Sequence, residues 1–195
     1  MTFSSKSFWE NRYRNNGNSG LGSYGDESKF KSSYINDLIK KESIKTITDL
    51  GCGDGNQISL LSGFKKYYGY DFSDTALIKA KNINKGAEYE FINNISDLPI
   101  SDMSMSLDVT YHIIEDNLFD EYLSKLFMLG ERYVLIYSMD VDVPQISEHI
   151  KSRSFTKWVK ENDIKYTLVD VTQYPEKLKA NGVGFYLFEK TFKWK

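Results

Sequence analysis

Asp49-Leu50-Gly51-Cys52-Gly53-Asp54-Gly55 sets a carboxylate ahead of glycines at alternate positions. Lys45-Thr46-Ile47-Thr48 before it is rich in β-branched residues and reads as a strand end. Asn56 to Leu61 after it reads as the first turns of a helix. A glycine loop between strand and helix lets a ligand come close to the backbone, and free N–H groups at a helix start face polar or anionic groups. Lys66 to Asp71 reads as the next strand, ending in a second carboxylate, Asp71, 22 positions after Asp49. This pattern points to a nucleotide-like ligand across the first strand-to-helix crossing of an α/β sheet.

The loop is G-x-G-x-G, not the G-x-G-x-x-G of dinucleotide sites. A carboxylate at Asp49 repels a pyrophosphate but accepts hydrogen bonds from an ammonium. S-adenosylmethionine (SAM) carries an α-ammonium, a sulfonium and no phosphate. A carboxylate at Asp71 can accept both ribose hydroxyls of such a ligand.

With these residues the chain resembles the class I SAM-dependent methyltransferases, including small bacterial ones that accompany surface-polysaccharide or glycan tailoring enzymes. Their glycine-rich first motif matches Asp49 to Gly55, and their second-strand acid matches Asp71, followed by Phe72-Ser73. Their third-strand region matches Tyr89 to Ile95, leading to Asp97-Leu98-Pro99. Asn94 stands where the family often has an Asp near the adenine amino group, and its carbonyl can take the same bond. Their fourth-strand region matches Asp108 to Ile113, with Tyr111 where many relatives carry a Glu. The resemblance covers roughly residues 8 to 140. It implies cofactor contacts at Asp49, Gly51, Gly53, Asn56, Gln57, Asp71, Phe72, Asn94 and Ile95, with S-adenosylhomocysteine (SAH) as product.

Methyl transfer from a sulfonium is an in-line displacement, with the nucleophile held about 3 Å from the methyl carbon. A base is needed when the acceptor loses a proton as it reacts, as a hydroxyl does. His112, one of two histidines, follows strand four and is the candidate general base or acceptor contact; otherwise it orients its loop by hydrogen bonding. Asp108 holds His112, binds the acceptor, or contacts only backbone. Tyr111 lines the pocket or packs in the core. His149, with Lys151 and Arg153 nearby, lies after strand five, where the family builds the far wall of the acceptor pocket; the two cations either meet an acceptor phosphate or stay solvated.

The elements that must position these residues follow from periodicity. Phe8 to Tyr13 reads as a short helix, and Lys29 to Glu42 as a helix with Phe30, Tyr34, Ile35, Leu38 and Ile39 on one stripe. Strands are expected at about 44–50, 66–71, 88–92, 103–108, 133–138, 165–172 and 184–192. Ser73 caps a helix through Ala80, Asp116 to Leu129 reads as a helix, and Phe155 to Asn162 looks helical. Strands alternating with helices give one doubly wound, Rossmann-like seven-stranded α/β sheet, mostly parallel with helices on both faces. Residues 173–183, with Pro175 and Gly182, suit a loop to an antiparallel last strand, which the resemblance places at the sheet edge. Residues 1–28 hold four glycines between Gly17 and Gly25. They read as a flexible tail or, as the resemblance implies, a lid in which Tyr13, Ser19, Ser23 and Tyr24 close over the cofactor or substrate; residues 29–195 form the methyltransferase domain.

Composition narrows the function. A chain of 195 residues with 41% hydrophobic and 15% aromatic residues fits one packed domain. A net charge of −2 gives no basic face for nucleic acid. The single cysteine excludes a disulfide framework and suits a reducing, cytoplasmic setting. There is no signal-like start and no apolar run of bilayer length. No Cys/His cluster calls for a metal, and the sequence sets no oligomeric state. The expected activity is methyl transfer from SAM to a small polar acceptor, most simply a hydroxyl of a sugar, nucleotide-sugar or phosphorylated glycan precursor. The rivals are N-methylation of an amine, protein or nucleic acid, with a pocket lined by acids and aromatics, and a SAM-binding module without turnover.

Overall fold

The computed structural model describes residues 3–145, 147–175 and 183–191. Helix α1 (Ser5–Arg14) starts on the Ser4 side chain, which accepts from Ser7 N–H. Helix α2 (Gly25–Lys41) begins four residues before the expected start at Lys29, because Asp26 and Glu27 occupy the first turn, where acids complement the helix dipole. The expected lid boundary at residue 28 therefore falls inside α2. Strands β1 (Thr46–Leu50), β2 (Lys66–Tyr70), β3 (Tyr89–Ile92), β4 (Ser101–Leu107), β5 (Gly130–Met139), β6 (Tyr166–Gln173) and β7 (Val183–Lys190) form one sheet in the order β3-β2-β1-β4-β5-β7-β6. Helices α3 (Asp74–Ile83), α4 (Asp116–Leu129) and α5 (Phe155–Glu161) complete the fold.

Strands β1 to β5 are mutually parallel, while β7 runs antiparallel to both β5 and β6. The last strand is thus not at the edge. It is threaded between β5 and β6, and β6 takes the edge. Side-chain character decides this: Val183, Phe185, Leu187 and Phe188 of β7 are buried, whereas Leu168, Val169 and Val171 of β6 stay exposed. A near-continuous apolar run belongs inside a sheet covered on both faces. Of the expected loop 173–183, residues 176–182 with Gly182 lie outside the described residues, as does Phe192.

Alternation along β5 shows the two layers. Leu135 and Tyr137 pack with Ile35, Leu38 and Ile39 of α2, and Val134 and Ile136 pack with Leu123, Leu126 and Phe127 of α4 and Phe155 of α5. One expected element is absent. Residues 56–61 form a single tight turn at Ile58–Leu60, not the start of an α-helix. The chain must return at once, because Lys65 and Lys66 N–H both bond to Lys45 C=O, and Gly63 at φ +89° makes the reversal. Strand order reverses at β1, which has β2 on one side and β4 on the other. Ligands of such sheets sit at the strand carboxyl ends beside that reversal.

Candidate active site

A cavity opens at that reversal. The β1 end and glycine loop supply Asp49, Gly51, Cys52, Gly53 and Gln57; the β2 end supplies Asp71 and Phe72; the β4 end supplies Leu107, Asp108, Val109, His112 and Ile113. Trp9, Tyr13, Ser19 and Ser23 of the N-terminal segment close it.

The glycines of the loop at 51 and 53 cannot carry side chains. A Cβ on Gly51 would stand 2.5 Å from Val109 Cγ2, and one on Gly53 would strike the Ser19 and Tyr13 hydroxyls; both residues have positive φ. Asp71 sits beneath this loop, its Oδ2 accepting Gly53 N–H at 3.0 Å and its Oδ1 accepting Ser73 N–H at 2.9 Å. Burial pushes its carboxyl up to about 6 against those two bonds. Asp49 is buried more deeply. Tyr67 OH donates to its Oδ2 at 2.7 Å, while Oδ1 is buried without a partner. Burial raises its carboxyl to about 7. A ligand offering a cationic donor satisfies that orphaned oxygen, and each Asp71 oxygen keeps a lone pair for a hydroxyl. The donor set therefore fits SAM.

The β4 side is a linked polar group. Asp108 has a left-handed backbone at φ +60°. Its Oδ2 lies 2.6 Å from Lys31 Nζ and its Oδ1 accepts Tyr111 OH at 2.8 Å. The Lys31 side chain is wholly buried, its ammonium 5.1 Å from the centre of the Tyr137 ring. Tyr111 thus stands behind Asp108 and off the cavity wall. His112 Nδ1 lies 2.9 Å from His149 C=O. A carbonyl only accepts, so Nδ1 carries the proton and Nε2 keeps its lone pair. Burial lowers the imidazole to about 4, so the ring is neutral near pH 7. Trp9 meets His112 edge-on at 4.7 Å, and the His149 ring stacks on Phe8 at 4.6 Å.

The N-terminal segment is tied to both sides. Asp54 Oδ2 accepts Ser19 N–H and Tyr24 OH, and Ser19 Oγ accepts Asp54 N–H. Glu10 accepts from the Ser73 and Thr75 hydroxyls, which hold its carboxyl down at about 2. Ser5 donates from N–H and Oγ to Glu115. A Cβ on Gly22 would stand 2.6 Å from Asp108 Oδ2.

Several expected residues lie elsewhere. Tyr24 and Asn56 fasten the N-terminal segment, Asn56 Nδ2 donating to Ser23 C=O, and neither lines the cavity. Asn94 is exposed, bonded to Ser96 N–H and Asp97, and Ile95 packs into the α4 layer. Arg153 spans Ile113 C=O, Ile114 C=O and Asp116, over the Phe119 ring, and Lys151 joins it on Asp116. These cations brace the start of α4 and do not line the cavity. His149 contributes a backbone carbonyl, not its ring. Two contributors went unread: Lys31, which continues the Ile35-Leu38-Ile39 stripe one turn back, and Trp9 on the face of α1 that meets the cavity. Among the described residues no cluster forms a metal site, and no helix is long and apolar enough to cross a membrane.

Residues 48–127 match the family model of a methyltransferase domain. No curated protein matches the chain. Solved structures share the whole fold. Magnesium protoporphyrin IX methyltransferase from Synechocystis PCC 6803 with bound SAM is 15% identical, with a TM-score of 0.70 over 97% of this chain and 98% of that one. The N-methyltransferase NodS from Bradyrhizobium japonicum WM9, in complex with SAH, is 12% identical, with a TM-score of 0.74 over 96% and 99%. An O-methyltransferase family protein from Burkholderia thailandensis is 13% identical, with a TM-score of 0.65 over 97% of this chain and 60% of that one.

Proposed function

We propose that this chain, a SAM-dependent methyltransferase of the class I fold, methylates a small polar acceptor at a hydroxyl oxygen. The observation that carries the reading is His112: it lines the cavity, is neutral, and has its Nδ1 proton committed to His149 C=O. Its Nε2 is then the acceptor for a substrate hydroxyl proton. SAM, when bound, supplies an electrophilic methyl on sulfur. Asp49, Gly51, Gly53 and Asp71 hold the cofactor, and Phe72 packs on it. Asp108, held by Lys31 and Tyr111, forms the β4 wall beside the acceptor. The segment before α2 acts as a lid, tied to Asp54 through Ser19 and Tyr24 and reaching the cavity through Tyr13, excluding water during transfer. Because Lys151 and Arg153 are committed to Asp116, an uncharged hydroxyl acceptor such as a sugar fits better than a phosphorylated one. A role in surface-glycan tailoring and a cytoplasmic setting belong to the same reading.

One observation favours a second reading, transfer to an amine nitrogen. Trp9 and Tyr13 line the cavity, and aromatic faces suit a cationic acceptor. Methyl-labelled SAM offered with neutral sugars, nucleotide-sugars and amines separates the two. Turnover of hydroxyl acceptors that is lost in His112→Ala supports the first; turnover of amines that survives it supports the second.

A further inference from the structure

Helix α1 touches both walls of the cavity with different stripes. Ser5, Phe8 and Trp9, spaced i, i+3 and i+4, share one stripe. That stripe lies on the loop that carries His112. Ser5 N–H and Oγ donate to the Glu115 carboxylate at 2.9 and 2.7 Å, and Ser5 Oγ accepts Ile114 N–H at 3.0 Å. Ser5 is fully buried. Glu115 stands three residues after His112, at the start of α4. Glu10 and Tyr13, again three apart, form the next stripe round the helix. Glu10 takes the Ser73 and Thr75 hydroxyls at the start of α3, and Tyr13 OH meets Ser19 Oγ beside Gly53.

His112 is enclosed by residues that α1 holds in place. Trp9 meets its ring at 4.7 Å, and Tyr111 packs on it at 4.4 Å. Its Nδ1 proton goes to His149 C=O. The His149 ring stacks on Phe8 at 4.6 Å and lies parallel to the His112 ring at 5.7 Å. Phe8 therefore bears on the residue that holds the proton of His112. Two positions on, Lys151 N–H donates to Tyr111 C=O at 2.9 Å, so the same segment is also fastened to the His112 turn. Burial has the largest influence on the imidazole. The His149 carbonyl and Asp108 favour its charged form, while His149 and Arg12 of α1 oppose it. Trp9 supplies part of that burial, and Trp9 belongs to α1.

We propose that α1 completes the base: Ser5, Phe8 and Glu115 are positioning residues that clamp the His112 loop, and His112 is set for proton abstraction only while α1 is docked. The assignment rests on His112 being the base of the reaction. It ties exclusion of water to activation, because one helix both closes the cavity and orients the imidazole. With α1 undocked, water reaches the ring and its Nδ1 bond loses the support of Phe8. Proton abstraction then waits for closure, which keeps the base from acting on an open site.

The test is NMR titration of the imidazole carbons in the full chain. The chain has two histidines, so the His112 signal is the one missing from His112→Ala. In the wild type it should titrate near pH 4. Ser5→Ala combined with Phe8→Leu should raise the midpoint toward the ordinary value of about 6.5, because water then solvates the cation. Phe8→Tyr alone keeps the stacked ring and should keep the wild-type midpoint. Glu115→Gln gives up one acceptor oxygen for Ser5 and should move the midpoint the same way as the double variant. It keeps the test decisive if the double variant folds poorly. Unmoved midpoints in the double variant and in Glu115→Gln overturn the role of α1 while leaving His112 as the base. Transfer from methyl-labelled SAM to neutral sugars that survives His112→Ala overturns the base itself, and this inference with it.

Discussion

Lys31 Nζ lies 2.6 Å from Asp108 Oδ2, and the lysine is wholly buried. The acid that ends β4 is therefore half of an internal ion pair between α2 and the cavity wall. A buried pair contributes little net stability over apolar residues, but removing one partner strands the other charge. Lys31→Met should destabilise the fold by about 3–5 kcal/mol, and Lys31→Met with Asp108→Leu should recover most of it. Urea unfolding of the wild type, the single variant and the double variant checks this. A double variant as unstable as the single one would mean that the pair is not the source of the loss.

Proton uptake by Asp49 and Asp71 in the cavity wall should appear in stability. Burial raises Asp49 to about 7 and Asp71 to about 6, against about 4 in an unfolded chain. Between those values the native state holds protons that the unfolded state has released. The stability due to them is present below about pH 4 and is lost as pH rises through 7. Asp49→Asn removes one such proton site, so it should gain on wild type from pH 5 to pH 8. Unfolding curves that keep a constant gap across that range contradict the assignment.

His112 should act as a base over an unusually wide range. With its imidazole lowered to about 4 by burial, the reactive neutral form persists well below the ordinary histidine value of about 6.5. The acidic limb of kcat/KM due to His112 should fall near pH 4. His112→Ala should lower turnover by roughly 10²–10⁴. A loss under about threefold would leave His112 a positioning residue only.

Asp54 should control the N-terminal segment. Its Oδ2 takes both Ser19 N–H and Tyr24 OH at 2.9 Å, and bonds to a charged group are worth about 1.5–3 kcal/mol each. Asp54→Ala should release residues 15–24 and speed tryptic cleavage at Arg12 and Arg14. SAH should protect the wild-type chain more than the variant. Identical cleavage rates would remove Asp54 from the closing mechanism.

Much of this molecule was legible in its residues. The alternation of apolar runs set seven strands and the helices at 74–83, 116–129 and 155–161 to within a few positions. Glycine spacing and two strand-end acids marked residues that line the cavity, because a close backbone approach and a carboxylate leave a local signature. Local patterns fail where the decision is made at a distance. The threading of β7 between β5 and β6 depends on which strand buries more apolar surface. The loss of the helix after Gly55 depends on how soon the chain must reach Lys45. The identity of the partners is also a tertiary matter. Asp108 meets Lys31 across 77 positions, His112 meets a carbonyl 37 positions away, and Gln57 is oriented by Ser28 of the preceding helix. The sequence alone determined which residues bring charge, glycine freedom and apolar surface to the site. Only the folded chain decided which of those charges are already spent on one another, as Arg153 is on Asp116, and which remain for a ligand. Hydrogen bonds and ion pairs are satisfied by proximity in space, and proximity between distant segments is fixed only when the layers pack.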